Sequence, residues 1–176
     1  LPDYVGNAIV ASEDRSFYTN KGIDPIGIAR AFYNNLTTGS RQGGSTITQQ
    51  YAERYYLGET TSYVGKLREA FLAVKIAQAQ DKSQVLCNYM NTIYLGRGAY
   101  GIQAAAKAYF GKDAKDLTLS EAAMLAGIIP APSVWTPDVN PKQAEKRYKR
   151  VLNIMDEDGY ITPDEKKAAK FPQTIE

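Results

Sequence analysis

The run Lys66-Leu67-Arg68-Glu69-Ala70-Phe71-Leu72-Ala73-Val74-Lys75-Ile76-Ala77-Gln78-Ala79-Gln80 is the longest apolar segment of the chain. Leu67, Ala70, Phe71, Leu72, Ala73, Val74, Ile76 and Ala77 leave almost no polar face at helical period. A helix that is apolar nearly all round is expected at the centre of a core rather than on a surface. Glu69 interrupts it, with Leu72, Ala73 and Ile76 three, four and seven residues further on. Burying a carboxylate in such company is costly unless it is paired or protonated. Lys66, one turn earlier, is placed to pair with it. An internal salt bridge and a catalytic carboxylate both fit this spacing.

Outward from that segment the chain reads as more helices. Residues 3–18 form the first, in which Ile9, Val10 and Phe17 recur at helical spacing around Glu13, and Asp14 stands next to it. Lys21-Gly22 ends it. Asp24 as N-cap and Pro25 at the first helical position open a second helix, carrying Ile26, Ala29, Phe32, Tyr33 and Leu36 as far as Thr37-Thr38-Gly39. A polar loop, residues 39–44, follows. Thr46 and Gln49 then make a capping box, so a third helix starts near Ile47 and runs to Tyr55 or Leu57. A loop from Gly58 to Gly65 leads into the apolar segment.

Beyond it, Asp81-Lys82-Ser83 breaks the chain before a helix from Gln84 to Leu95, ended by Gly96. A glycine-rich turn through Arg97 and Gly101 precedes an alanine-rich helix, Ile102 to Phe110, closed by Gly111. Thr118 with Glu121 caps a helix over Ala122 to Ile129, and Pro130 and Pro132 terminate it. A basic amphipathic helix runs from Gln143 to about Asp158, and Thr162-Pro163-Asp164-Glu165 caps a short last one. Period-2 alternation of convincing length is absent. The expected fold is mostly α, one domain over residues 1–176 with a small sub-lobe.

Composition narrows the chemistry. Hydrophobic residues at 44% and charged residues at 23% are ordinary for a globular protein that buries a core. There is no histidine, which excludes Ser-His-Asp and Cys-His machinery and removes the usual zinc ligand. Cys87 lies among Val85, Leu86, Tyr89 and Met90 and reads as a buried thiol rather than a nucleophile. A net charge of +2, without a stacked aromatic RNA motif, gives no sign of nucleic acid. No 18-residue apolar run and no signal peptide occur; the chain starts inside a helix and reads as an excised domain. Carboxylates, lysine, arginine, hydroxyls and amides are left to do the chemistry.

Those residues gather in four places. Glu13 and Glu69, on separate helices, suit glycosyl transfer, in which one carboxylate moves a proton and another assists the reacting centre or leaving group. Gly43-Gly44-Ser45-Thr46-Ile47-Thr48-Gln49-Gln50 sets glycines and neutral donors at a helix start, a seat for phosphate or an ordinary loop-to-helix junction. Phe32, Tyr33, Tyr51, Tyr55, Tyr56 and Tyr63 crowd around the two loops, as membrane-interface residues or as core packing. Lys66, Arg68 and Arg97 are cations able to hold phosphate or to stand solvated.

Taken in order, these motifs make the chain resemble the glycosyltransferase family 51 domain of class A penicillin-binding proteins, from about Val5 to Phe171. Glu13-Asp14-Arg15-Ser16-Phe17…Gly22 resembles the first motif, Gly44-Ser45-Thr46-Ile47-Thr48-Gln49-Gln50 the second, and Lys66…Glu69 the third. Lys82…Leu86…Tyr89-Met90-Asn91…Ile93-Tyr94-Leu95-Gly96, continuing to Gly101, resembles the fourth. The resemblance implies a lysozyme-like lobe with a smaller, membrane-facing jaw lobe, about residues 23–64. It implies polymerisation of lipid II into glycan strands on the extracytoplasmic face of the cell membrane, with inversion and release of polyprenyl diphosphate.

By the same resemblance Glu13 is the general base for the acceptor hydroxyl. Glu69 acts near the diphosphate and donor sugar, Lys66 neutralises the leaving group, and Asp14 organises the site. Ser45, Thr46, Gln49, Gln50, Arg68 and Arg97 are implied as contacts to substrate or diphosphate. No cofactor is required; a magnesium or manganese ion is a candidate assistant. Fusion to a transpeptidase domain and a transmembrane helix is expected in the full-length protein, although this chain has no Ser-x-x-Lys.

The chain departs from the family pattern at Asn20, where histidine is usual, at Glu53, Thr61 and Gly65, where basic residues are common, and at Cys87, where glutamate is usual. Each lost charge-assisted contact is worth about 1.5–3 kcal/mol. Arg41, Arg54 and Arg68 are candidates to compensate. The rival readings are a muramidase or lytic enzyme on the same fold and a catalytically weak lipid II-binding module.

Overall fold

A computed structural model describes residues 1–39, 43–58 and 61–176 of the chain. Among them the regular elements are helices: α1 (Asp3–Glu13), α2 (Pro25–Thr38), α3 (Ile47–Ala52), α4 (Tyr63–Ala79), α5 (Lys82–Thr92), α6 (Ile102–Phe110), α7 (Leu119–Ile128), α8 (Pro141–Glu157) and α9 (Pro163–Ala168). A π-helical turn, Glu53–Leu57, continues α3, and a 3-10 turn, Ala114–Asp116, follows α6. The mostly α expectation holds. Arg41, with its neighbours Ser40 and Gln42, lies outside the described residues. The chain divides into two compact units, residues 1–15 with 90–176 and residues 16–89.

The first unit is built on α7. Every residue of α7 from Glu121 to Ile128 is buried, and α1 and α8 both pack on it and on each other. Small side chains make this possible. A Cβ on Gly127 would sit 3.1 Å from the Arg147 backbone carbon, so the α7–α8 approach depends on its absence. The capping box of Thr118 and Glu121 starts α7 as the sequence implies, and Glu121 also pairs with Lys112 at 2.9 Å. Thr162 and Glu165 form the same device at α9, and α6 has the expected bounds, with Gly111 in the left-handed region closing it. Arg15 closes the end of α8, its guanidinium 2.6 Å from Asp158 and 3.2 Å from Glu157.

Between α5 and α6 the backbone folds into a tight loop with a Tyr94–Tyr100 bridge, in which Arg97 has a positive φ of 51°. Its side chain compensates for the strain. It donates to Asp138 at 2.8 and 2.7 Å and to the carbonyls of Ala108 and Ile175 at 2.8 Å. It also lies 4.6 Å from the centroid of the buried Tyr109 ring.

Tyr109 donates its hydroxyl to the Leu95 carbonyl at 2.6 Å. Burial pushes its phenol up to about 12, against the opposing pull of the Arg97 charge. An unfolded tyrosine titrates near 10, so above that pH the unfolded chain gives up a proton that the folded chain keeps. This contribution to stability is complete below about pH 10 and is lost as pH rises to about 12, on the order of 2 kcal/mol. Burial also raises Tyr51, Tyr148 and Tyr160, so ultraviolet titration of the thirteen tyrosines should show several late phenolates, with that of Tyr109 appearing together with unfolding. Thirteen tyrosines titrating near 10 in a folded chain would contradict this.

In the second unit α2 begins as expected, with the Asp24 carboxylate accepting from the Gly27 N–H at 3.0 Å and Pro25 at the first helical position. The Thr46–Gln49 capping box opens α3. The two are tied through Gly22, whose carbonyl accepts the Thr46 hydroxyl at 2.6 Å.

Three expectations are corrected here. The first helix stops at Glu13 rather than at residue 18, because Asp14 takes φ −161° and leaves the helix. Phe17 is fully buried, but in the turns after the helix, where Ser16 O accepts from the N–H groups of Thr19 and Asn20. The apolar helix α4 is not a core helix. It buries only Glu69, Ala73 and Ile76, while Leu67 is 71% and Phe71 67% exposed; the helix buried from Glu121 to its end is α7. Cys87, expected inside, is exposed, because α5 turns Val85, Leu86, Tyr89 and Met90 inward and leaves position 87 on its other side.

Candidate active site

In the first unit, Glu13 is the last residue of α1 and is half-buried, followed by the buried Asp14. A helix C-terminus carries partial negative charge from its carbonyls, which disfavours a carboxylate there. The neighbouring helices offset this. Ser12 donates its hydroxyl to the Ala126 carbonyl of α7 at 2.8 Å, and Arg150 of α8 reaches the Ser12 carbonyl at 3.4 Å. Arg147 donates to the Gly127 carbonyl at 2.9 Å and lies 5.1 Å from the Trp135 ring centroid. Burial pulls both arginines down from the usual guanidinium range, and the Glu13 charge pulls both back up. Neither arginine was singled out from the sequence. The available signal was their i, i+3 spacing beside the buried face of α8, Ala144, Tyr148, Val151 and Met155.

In the second unit, Lys66 and Glu69 meet as the spacing predicts, Nζ to Oε2 at 3.1 Å, with the Glu69 side chain fully buried. Glu53, at the start of the π turn, brings a second carboxylate to Lys66 at 3.6 Å. Burial disfavours the ammonium, but the hydrogen bond and charge of Glu69, reinforced by Glu53, hold its pKa above the ordinary lysine value. Lys66 is therefore a cation at any physiological pH. Arg68 is exposed on the same helix, and Arg54 stacks 5.8 Å from the Tyr89 ring centroid.

The polar start of α3 divides by role. Thr46 and Gln49 are consumed by the cap: the Thr46 hydroxyl accepts from the Gln49 N–H at 3.0 Å, and the Gln49 side chain accepts from the Thr46 N–H at 2.9 Å. They fix the helix start, with the Thr46 hydroxyl donating to Gly22 O, while the cap uses only the oxygen of the Gln49 amide. Gln50 accepts from the Tyr89 hydroxyl at 2.8 Å, which orients its amide. Ser45 is half-buried, and the buried Thr48 hydroxyl has no hydrogen-bond partner among the described residues.

Asn20, in place of the family's usual histidine, braces the turn before α2. Its side chain donates to Ser16 Oγ at 3.1 Å and accepts from the Gly22 N–H at 3.1 Å, and Lys82 bonds its carbonyl at 2.5 Å. Arg97 is held by local partners. It belongs to the first unit, and its N–H groups are already taken by Asp138, Ala108 and Ile175.

A family model described as Transglycosylase matches residues 1–156. The chain belongs to the transglycosylase family. It is 48% identical over 170 residues to penicillin-binding protein 1A of Neisseria lactamica, covering 96% of this chain and 21% of that protein. It is 46% identical over 177 residues to penicillin-binding protein 1A of Aquifex aeolicus strain VF5, covering 99% of this chain and 24% of that one. The chain thus spans between a fifth and a quarter of the length of these relatives.

Among solved structures it resembles the crystal structure of penicillin-binding protein 1A from Haemophilus influenzae, with TM-score 0.50 and 31% identity over 73% of this chain and 16% of that one. The transglycosylase match takes in α1 to α7 and nearly all of α8. It therefore includes Glu13, the Lys66–Glu69 pair, the α3 start, and the Arg147 and Arg150 pair that the motif reading passed over.

Proposed function

We propose that this transglycosylase chain is a peptidoglycan glycosyltransferase domain that polymerises lipid II into glycan strands. The observation that carries the reading is the family match over residues 1–156, and the local chemistry agrees with it. Glu13, with the Arg147 and Arg150 charges acting on it, takes the proton of the acceptor 4-hydroxyl. The freed oxygen attacks the anomeric carbon of the donor sugar as the bond to the diphosphate breaks. The electron pair leaves on the polyprenyl diphosphate, and the configuration inverts. Lys66, held cationic beside Glu69, meets the charge that develops on the leaving group, the kind of fixed electrostatic help worth most in a site shielded from water. Ser45 and Gln50 are read as substrate contacts with the exposed Arg68, and Thr46 and Gln49 as the frame that holds them. Asp14 organises the Glu13 end.

The second unit exposes Ile26, Phe32, Tyr33, Leu36, Tyr63, Leu67 and Phe71, each more than half accessible, and we read this apolar surface as the face that meets the membrane carrying the substrate. None of the described helices is long and apolar enough to cross a membrane. Fusion to further domains, and an extracytoplasmic location at the cell membrane, follow as proposals from the longer relatives. Among the described residues no group of three or more carboxylate, cysteine or histidine side chains gathers to hold a metal.

Incubation with lipid II in detergent tests the reading. Polymer with one polyprenyl diphosphate released per bond formed is the expected result. Solubilisation of purified cell walls without polymer would point to a lytic enzyme, and tight lipid II binding without turnover would point to a binding module.

A further inference from the structure

Lys66 is shared between two carboxylates of unequal standing. Glu69 Oε2 lies 3.1 Å from its ammonium and Glu53 Oε2 3.6 Å. Glu69 is fully buried, so parting it from Lys66 strands a carboxylate away from water, which is expensive. Glu53 is different. Its side chain keeps 24% of its surface and Lys66 keeps 50%, so their contact is exchangeable with solvent and of the weaker, exposed class. Glu53 also opens the π-helical turn Glu53–Leu57 that extends α3. Such turns are rare and are found mostly as single insertions at functional sites. Lys66 thus brings one positive charge against the two carboxylates paired with it. An incoming diphosphate competes with both for the ammonium, and of the two carboxylates Glu53 is the one with access to solvent.

We propose that Glu53 is a positioning residue that competes with the substrate's diphosphate for Lys66, so that diphosphate binds only as Glu53 leaves the ammonium. The inference rests on the reading of Lys66 as the diphosphate partner. It makes Glu53 a brake on affinity: it lowers diphosphate binding while keeping Lys66 charged and in place beside Glu69 when no substrate is present.

The test uses Glu53→Gln and Glu53→Asp with inorganic diphosphate as the probe. Loss of the Glu53 charge, which raises the Lys66 pKa, should lower the Lys66 titration read by NMR of its side-chain ammonium in Glu53→Gln. Calorimetry should show inorganic diphosphate binding about three- to fivefold tighter to that variant, the size of one exposed ion pair. Glu53→Asp should stay near the wild type in both. An unmoved Lys66 titration overturns the clamp, and a lowered titration with unchanged diphosphate affinity overturns the competition. Tighter diphosphate binding in a protein that makes no polymer leaves the inference standing and fails the glycosyltransferase reading instead.

Discussion

Glu13→Gln should abolish polymerisation of lipid II while leaving the fold intact. Glutamine matches the volume of glutamate and keeps an acceptor oxygen, but it cannot take a proton. The loss is that of a positioned general base, about a hundred- to ten-thousandfold in kcat. Because Glu13 is half-buried at the end of α1, the neutral amide relieves the unfavourable carbonyl end of the helix but gives up the attraction of Arg147 and Arg150, so the melting temperature should stay near that of the wild type. Product release measured on gels, beside a thermal melt, checks both. A variant that melts like the wild type and still polymerises within a factor of a few would remove Glu13 from the mechanism.

The second large effect is structural. Gly22 has φ +93°, and a Cβ built on it would sit 2.4 Å from the Ala73 carbonyl oxygen of α4. Both the backbone conformation and the contact exclude a side chain, and the obstructing atom is backbone that cannot rotate away. Gly22→Ala should therefore cost at least about 3 kcal/mol, in the range of the severest single substitutions. The damage should not stay local. The Gly22 carbonyl holds the Thr46 hydroxyl and so the start of α3, and Ala73 lies four residues beyond Glu69 on α4. Denaturant melts followed by circular dichroism should show a loss of that size, with donor-substrate affinity falling in parallel. A fully stable Gly22→Ala protein would mean that the backbone takes another path there.

The caps were the most legible part of the sequence. Asp24 with Pro25, Thr46 with Gln49, Thr118 with Glu121 and Thr162 with Glu165 all act where the residues say, because a cap is a local contest between side chain and backbone that needs no tertiary partner. The Lys66–Glu69 pair was legible for the same reason, since three residues on a helix fix its geometry. Burial was not. An all-round apolar helix has the same pattern whether protein or something else covers it, and α4 was assigned to a core that α7 occupies instead. Nor does a motif reveal what comes from afar. Arg147 and Arg150 act on Glu13 from about 135 residues away in sequence, through the close packing of α1, α7 and α8. The chemical motifs were found through a family resemblance, and within the second of them the structure shows Thr46 and Gln49 capping α3.

Helix α2 carries a consequence of a different kind. It buries a single residue, Ala31, and a helix of its length is marginal in water when little packs against it. Its order is therefore linked by mass action to whatever covers Ile26, Phe32, Tyr33 and Leu36, because a surface that binds only the helical form draws the equilibrium toward it. A lipid surface would act on α2 as a ligand, and part of its binding energy would appear as folding of the helix rather than as adhesion.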